Sequence, residues 1–311
     1  MPTGLVGSEM CIRDRANVEI RQVIGRPVAA GLALRGCGIA HIHEARTVYS
    51  GLMGRWFFGI PYVITRRVVA NQSWSPLRSR AYKDAAQMVA ISAAAADKLK
   101  VRHPGIEATV IADAHAEFPV NDAAVAEIRA ARPGKTLIGH IGALDHSHKG
   151  QSTIIEAARI AADTHPDWHF LLCGDGKDES RFRREIGDLE NIELVGWVDN
   201  VGDYLAAMDL FVYPSLHEAL GSSLLDALHA GLPIVASGVG GIPELIEDGV
   251  NGRLIEPENP GQLLAATGSL LADADALAGV RARNIEKSNS YDSRRMADAY
   301  ETLYREIAAQ L

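Results

Sequence analysis

Short β-rich runs alternate with helix-like segments along the chain: Ile39–His43, Pro61–Thr65, Met88–Ser92 and Ala108–Ala112, then Thr136–Ile141, His169–Cys173, Ile192–Val195, Leu210–Tyr213 and Ile234–Ser237. That rhythm predicts parallel α/β architecture. HFLLC and LFVY are apolar at nearly every position, as strands are when helices cover both faces of their sheet. Between the two sets, NDAAVAEIRAAR reads as a helix capped by Asn121 or Asp122 and followed by Pro133-Gly134, which sets a domain boundary there. Tyr291, Met296, Tyr300, Leu303, Tyr304 and Ile307 recur at largely helical spacings, so an amphipathic closing helix is expected over Ser290–Ile307. The expected organisation is an N-terminal domain over 16–120, a second domain over 121–290 and a closing segment over 291–311. About four strands precede the boundary, too few for a complete doubly wound domain, so the first domain reads as truncated.

MPTGLVGSEMCIRDR has neither a secretory apolar core nor clear periodicity, and GLVGSEMCIRDR is similar to translated sequencing-adapter read-through. Residues 1–15 are therefore set apart as a non-native or disordered segment.

A length of 311 residues suits one large or two medium domains. The chain carries 31 Lys and Arg against 39 Asp and Glu, a net charge of −8, so an overall basic footprint for nucleic acid is missing. No apolar run approaches the roughly 18 residues of a membrane span. Cys11, Cys37 and Cys173 show no CxxC or other ligand spacing, which argues against a disulfide frame or structural zinc and for a reducing, cytoplasmic compartment.

Candidate chemistry is concentrated in the second half. IGHIGALDHSHKG ends a strand in a glycine-containing turn and brings Lys149-Gly150 to a helix opening, where free N–H groups and the dipole favour a phosphate. Taken alone, a solvated lysine is the commoner reading. LLCGDG ends a strand at Gly174 and Gly176, either a weak dinucleotide signal or a tight turn. The stretch from Tyr213 to Pro257 places His217 and Glu218 in a loop, starts a helix at Gly221-Ser222-Ser223 and carries Asp226 within it. Both carboxylates can face a ligand lying across that helix start; alternatively Ser222 is an N-cap and Asp226 an exposed helix residue. Val239–Glu244 adds a second Gly-rich turn before a Pro-started helix. His41, His43, Glu44 and Arg46 cluster at a strand end. They lack a second group of metal ligands and read otherwise as ordinary polar strand-end residues.

GALDHSHKG, LLCGDG, HEALGSSLLDALHAGLPIVAS and GGIPELIEDGVNG, in that order, resemble the retaining glycosyltransferases of family 4, glycosyl transferases group 1. The resemblance runs from about Ile39 to the C-terminus. It implies the GT-B fold, two Rossmann-like doubly wound parallel-sheet domains facing a cleft, and transfer of a sugar from a nucleotide-diphospho-sugar with retention. By the same resemblance Lys149 meets the donor diphosphate, Glu218 faces the transferred sugar and Asp226 meets the ribose. Gly142, Gly174, Gly221, Ser222 and Ser223 line the donor site, and Lys149 and Glu218 are the catalytic candidates. His43, Arg46, Arg66 and Arg67 are cleft candidates.

The family needs no cofactor beyond the donor and no metal. Its acceptors are glycans or lipid-linked saccharides of envelope or exopolysaccharide synthesis, which makes peripheral contact at the cytoplasmic face of the inner membrane an option. This chain departs from the pattern in three places. Ala143 stands where the family often has arginine, Asp226 is one methylene shorter than glutamate, and Arg66-Arg67 follow PYVIT where a histidine is common. A non-catalytic or truncated nucleotide-sugar-binding protein and a GT-B nucleotide-sugar 2-epimerase are the alternatives. A nicotinamide oxidoreductase ranks last, because Gly174–Gly176 lacks the rest of the fingerprint.

Overall fold

The computed structural model describes residues 27–44, 47–67 and 75–310. The segment 1–15 and Arg46 lie outside the described residues. Contacts group the described residues into two units, one of residues 27–44, 47–64 and 75–86, the other of 65–67 and 87–310.

The first unit contains α1 (Pro27–Ala33), β1 (Ala40–Ile42), α2 (Val48–Phe58), the start of β2 (Tyr62–Arg66) and α3 (Pro76–Lys83). β1 and β2 run parallel, Ala40 opposite Tyr62 and Ile42 opposite Ile64. α3 starts at Ser75-Pro76 because the serine hydroxyl accepts from the Arg78 N–H at 3.2 Å and proline has no N–H to leave unpaired.

The second unit opens with β3 (Gln87–Ala90), α4 (Ala93–Arg102) and β4 (Ala108–Val110), Met88 lying opposite Ala108. The first sheet has the order β1-β2-β3-β4. Next come α5 (Asp122–Ala130), β5 (Thr136–Ile141), α6 (His146–Lys149), α7 (Gln151–Thr164), β6 (Trp168–Cys173), α8 (Glu179–Ile186) and β7 (Ile192–Gly196). The chain continues through α9 (Val201–Ala207), β8 (Leu210–Tyr213), α10 (Ser222–His229), β9 (Ile234–Ser237), α11 (Ile242–Leu245) and β10 (Arg253–Ile255). It closes with α12 (Pro260–Leu271), α13 (Ala274–Ser288), a 3₁₀ turn at Asn289–Tyr291 and α14 (Ser293–Ala308).

The second sheet is parallel, with the order β10-β9-β8-β5-β6-β7. Counted from β5 this is the doubly wound order 3-2-1-4-5-6. The order reverses between β5 and β8, the place where such sheets hold ligands beyond the strands' carboxyl ends. β8 shows why its sequence is apolar throughout. Leu210 and Val212 enter one core with Ile138, Phe170, Ile154 and Leu263, while Phe211 and Tyr213 enter the opposite core with Leu224, Leu228 and Ile242.

Three local expectations are corrected. The closing helix starts at Ser293, not Ser290, because Asp292 caps it by accepting from the Arg295 N–H at 2.7 Å, and the preceding residues form the 3₁₀ turn. Gly221, in the left-handed region at φ 103°, is the N-cap of α10, and Ser222 is its first residue. β10 was not expected; it is three residues long and pairs Arg253 with Val235 at the sheet edge. Among the described residues no single helix is long and apolar enough to cross a membrane.

Candidate active site

Lys149 and Glu218 come from loops after β5 and β8, the two strands at the reversal. α6 is one turn long, capped by Asp145, whose carboxylate accepts from the Ser147 N–H at 3.0 Å. Burial works against the charge of Asp145, but the Ser147, Lys177 and His148 side chains around it hold its carboxyl down at about 2. Lys149 thus ends this short helix rather than opening the long one. Gly150, at φ 65°, turns the chain into α7. A Cβ on Gly150 would lie 2.1 Å from the Pro214 carbonyl oxygen, so only glycine lets the two loops meet. The His148 carbonyl then accepts from Leu216 N–H at 2.8 Å and His217 N–H at 3.3 Å.

This seam delivers Lys149 to Glu218. The Lys149 ammonium donates to Glu218 Oε2 and to the Tyr213 hydroxyl, both at 2.6 Å, and that hydroxyl donates to the same Oε2 at 2.8 Å. Burial opposes the charge on Lys149. The Tyr213 oxygen and the Glu218 carboxylate outweigh it and hold the ammonium above the ordinary lysine range. Tyr213 is fully buried, which keeps its hydroxyl protonated well above the usual tyrosine range.

His140, also fully buried, lies beneath with its ring centroid 5.7 Å from that of Tyr213. Burial pushes it down to about 4, so it is neutral; with Nδ1 3.0 Å from the Val212 carbonyl, that nitrogen is the donor. Gln151 bridges from His140 Nε2, 3.5 Å away, to the Ala143 carbonyl at 2.7 Å.

The glycines expected at the donor site are close-approach positions. A Cβ on Gly174, at φ 137°, would sit 2.1 Å from the Gly142 carbonyl oxygen, and one on Gly176 2.4 Å from that of Leu144. The loops after β5 and β6 are sewn together there by Gly142 N–H to Cys173 O and Leu144 N–H to Asp175 O. Gly221 adjoins the Tyr213 ring, and α10 begins beside it with Ser222 exposed and Ser223 half-buried. A helix leaves its first N–H groups without intrahelical acceptors.

Asp226 is tied to a segment far from it in sequence. Its Oδ1 accepts from the Ala116 N–H at 2.7 Å, and burial pushes its carboxyl up to about 6 against the opposing pull of that hydrogen bond. Beside it the rings of His115 and His229 stack at 3.8 Å. The second Gly-rich turn backs the Glu218 loop: Cβ atoms on Gly240 and Gly241 would fall 1.8 Å and 2.2 Å from the carbonyl oxygens of Glu218 and Ala219. Ser92 Oγ donates to Ala219 O at 2.6 Å, and the Glu244 carboxylate accepts from the Ala93 and Ala94 N–H groups that open α4.

Of the cleft candidates, Arg67 is ion-paired with Asp113 at 2.9 Å, and Arg66 is the last residue of β2. His43 belongs to the other unit, exposed after β1, with its ring 3.9 Å from that of His41. Tyr213, Ser92 and His140 were not singled out in the sequence, because each sits in or beside an apolar strand and reads there as core or cap.

The two parallel α/β sheets, the second of them doubly wound, with the paired loops at its reversal, define the GT-B fold. The structure of Anabaena HepE in complex with UDP and glucose matches with a TM-score of 0.78 at 19% identity, over 91% of this chain and 84% of that one. Residues 135–273 match the family model of glycosyl transferases group 1. It is 33% identical over 129 residues to 2-deoxystreptamine N-acetyl-D-glucosaminyltransferase of Niallia circulans, covering 40% of this chain and 33% of the relative. It is 27% identical over 188 residues to the lipopolysaccharide core biosynthesis mannosyltransferase LpsB of Rhizobium meliloti, covering 56% and 53%. The chain spans between a third and about half the length of these curated relatives.

Proposed function

We propose that this protein is a glycosyltransferase that moves a sugar from a nucleotide-diphospho-sugar to a glycan or lipid-linked acceptor, with retention at the anomeric carbon. The observation that carries the reading is the Lys149–Tyr213–Glu218 cluster at the reversal of a doubly wound sheet, beside the start of α10. Cleaving the anomeric C–O bond leaves negative charge on the departing nucleoside diphosphate. Lys149 and the first amides of α10 stabilise that charge without a metal. A bound diphosphate draws Lys149 off Glu218, and the Tyr213 hydroxyl keeps its hydrogen bond to the carboxylate that faces the sugar. Asp226, with Oδ1 on Ala116, offers Oδ2 to a ribose hydroxyl.

The UDP held by HepE favours a uridine diphosphate donor, and the lipopolysaccharide relative favours an envelope glycan as acceptor. Calorimetric titration with UDP, GDP, ADP and their sugar conjugates tests this. Saturable binding that disappears in Lys149→Ala is expected; no binding to any of them overturns the reading. Ala143, in place of the family's arginine, favours a second reading, donor binding without transfer. A transfer or donor-hydrolysis assay on a ligand-binding sample separates the two.

A further inference from the structure

The first turn of α4 gives three leading N–H groups to side chains. Ser92, the N-cap, accepts from the Ala95 N–H at 3.0 Å, as a serine cap does. The Glu244 carboxylate takes the other two, Ala93 on Oε2 at 3.0 Å and Ala94 on Oε1 at 2.9 Å. A carboxylate at a helix start also gains from the dipole, so α4 and α11 are tied by charge as well as by two hydrogen bonds. Ser92 is 1% exposed, and its own proton goes the other way, to the Ala219 carbonyl at 2.6 Å. Next to it Ile91 enters the apolar core that holds Leu220 and Ile242.

What this tie holds is the loop of Glu218. Glu244 follows Gly241 by three residues, and the Gly240-Gly241 turn lies hard against the backbone at Glu218 and Ala219. The peptide joining those two residues is backed by Gly240 on its carbonyl side, while its N–H donates to Glu218 Oε1 at 3.3 Å. The following peptide is pinned at the Ala219 carbonyl by Ser92. Two consecutive loop peptides thus take their orientation from α4 and α11, and one of them holds the carboxylate whose Oε2 meets Lys149 and Tyr213.

We infer that Ser92 and Glu244 are positioning residues for Glu218, acting through the Ala219 peptide rather than on the donor. The inference rests on the reading that Glu218 faces the transferred sugar. A misplacement of about 1 Å in a reacting constellation costs up to about 100-fold in rate, so a loosened peptide shows in turnover. Lys149 and the start of α10 stay in place, so nucleotide binding does not follow. A role confined to capping α4 would lower stability and leave turnover alone.

Four variants of the full chain separate these roles. Ser92→Ala removes the hydroxyl, Ser92→Thr keeps it, and Glu244→Gln turns an amide N–H towards one of the two helix donors. Asp273→Ala is the control, because Asp273 caps a different helix, α13, by accepting from the Asp275 and Ala276 N–H groups at 3.0 Å. Hydrogen–deuterium exchange over residues 214–222, read by mass spectrometry, should quicken about tenfold in Ser92→Ala and Glu244→Gln and keep the wild-type rate in the other two. UDP release from UDP-glucose and UDP-N-acetylglucosamine should fall about tenfold or more in kcat in the same two variants, with calorimetric UDP affinity unchanged. Should Ser92→Ala fail to fold, Glu244→Gln, which leaves the apolar packing intact, carries the comparison. Unchanged exchange in the loop, weaker UDP binding at constant kcat, or an equal loss of kcat in Asp273→Ala overturns the inference. A wild type that neither binds UDP nor turns over either sugar nucleotide sinks the donor reading instead, and the exchange rates then decide by themselves whether Ser92 and Glu244 hold the Glu218 loop.

Discussion

The Lys149 ammonium rests 2.6 Å from Glu218 Oε2, so the cation expected on the donor diphosphate and the carboxylate expected at the sugar hold each other when no donor is present. The pair is mostly buried, with side-chain exposures of 20% and 14%, and is not a surface bridge of negligible worth. Lys149→Ala removes the diphosphate partner while Glu218 keeps its bonds to the Tyr213 hydroxyl and the Ala219 N–H. The fold should survive. Sugar transfer should fall by about 100-fold or more, as when a preorganised donor to a developing anion is deleted. Steady-state transfer alongside a thermal melt checks this; full activity, or unfolding, refutes the assignment.

Tyr213→Phe keeps the ring in its core and deletes one hydroxyl. Two hydrogen bonds go with it, at a stability cost of about 1–3 kcal/mol. Once a diphosphate has drawn Lys149 away, Glu218 in the variant has no side-chain donor left in this cluster. The expected result is a kcat about tenfold lower with a donor KM unchanged or lower, since Lys149 leaves its pair more readily. A rise in KM at constant kcat would show that Tyr213 serves donor binding instead.

What could be read in the sequence and what could not divide along the range of the interactions. β5, β8 and β9 match their expected bounds because helices cover both sheet faces and most of their positions are apolar. Asn121 was readable as a cap because the N–H groups it accepts from belong to the next few residues, Ala123 and Ala124. Lys149 and Glu218 stand in glycine-marked loops, where polar residues are conspicuous. Tyr213 is hidden because it completes an apolar strand while its hydroxyl reaches past the strand end. The bonds from Ala116 to Asp226 and from Ser92 to Ala219 join residues more than a hundred positions apart, and neither end carries a local pattern. β10 is too short for alternation to show, although its place at the sheet edge completes the doubly wound order.

Gly150→Ala tests whether the seam between the two loops places the lysine. The added Cβ would meet the Pro214 carbonyl oxygen at 2.1 Å on a backbone already in the left-handed region. Gly134→Ala is the control, since Gly134 has a similar φ of 71° and nothing within 4 Å of its Cβ position. The control should lose about 1 kcal/mol from the left-handed backbone alone. Gly150→Ala should lose about 1–3 kcal/mol more and weaken nucleotide binding. Urea unfolding and UDP titration of both variants measure the difference; equal losses would mean that the loops can part without penalty.

Asp226 gives a prediction in pH. Its folded carboxyl titrates at about 6, above the roughly 3.9 of an unfolded aspartate, so the native state holds the proton more tightly. Its contribution therefore favours the fold fully below about 4 and is lost as pH rises towards about 6, leaving the ionised carboxylate an unfavourable buried charge at neutral pH. Asp226→Asn stays neutral throughout and can still accept from the Ala116 N–H. The variant should therefore lack the part of the fall in stability between about pH 4 and 6 that the wild type shows in urea unfolding. If the ionised oxygen also accepts a ribose hydroxyl, wild-type affinity for UDP should rise as pH passes about 6. The asparagine variant should bind more weakly at pH 7 and without that rise. A variant that keeps wild-type affinity at every pH would leave Asp226 as a tether for Ala116 and remove it from the donor site.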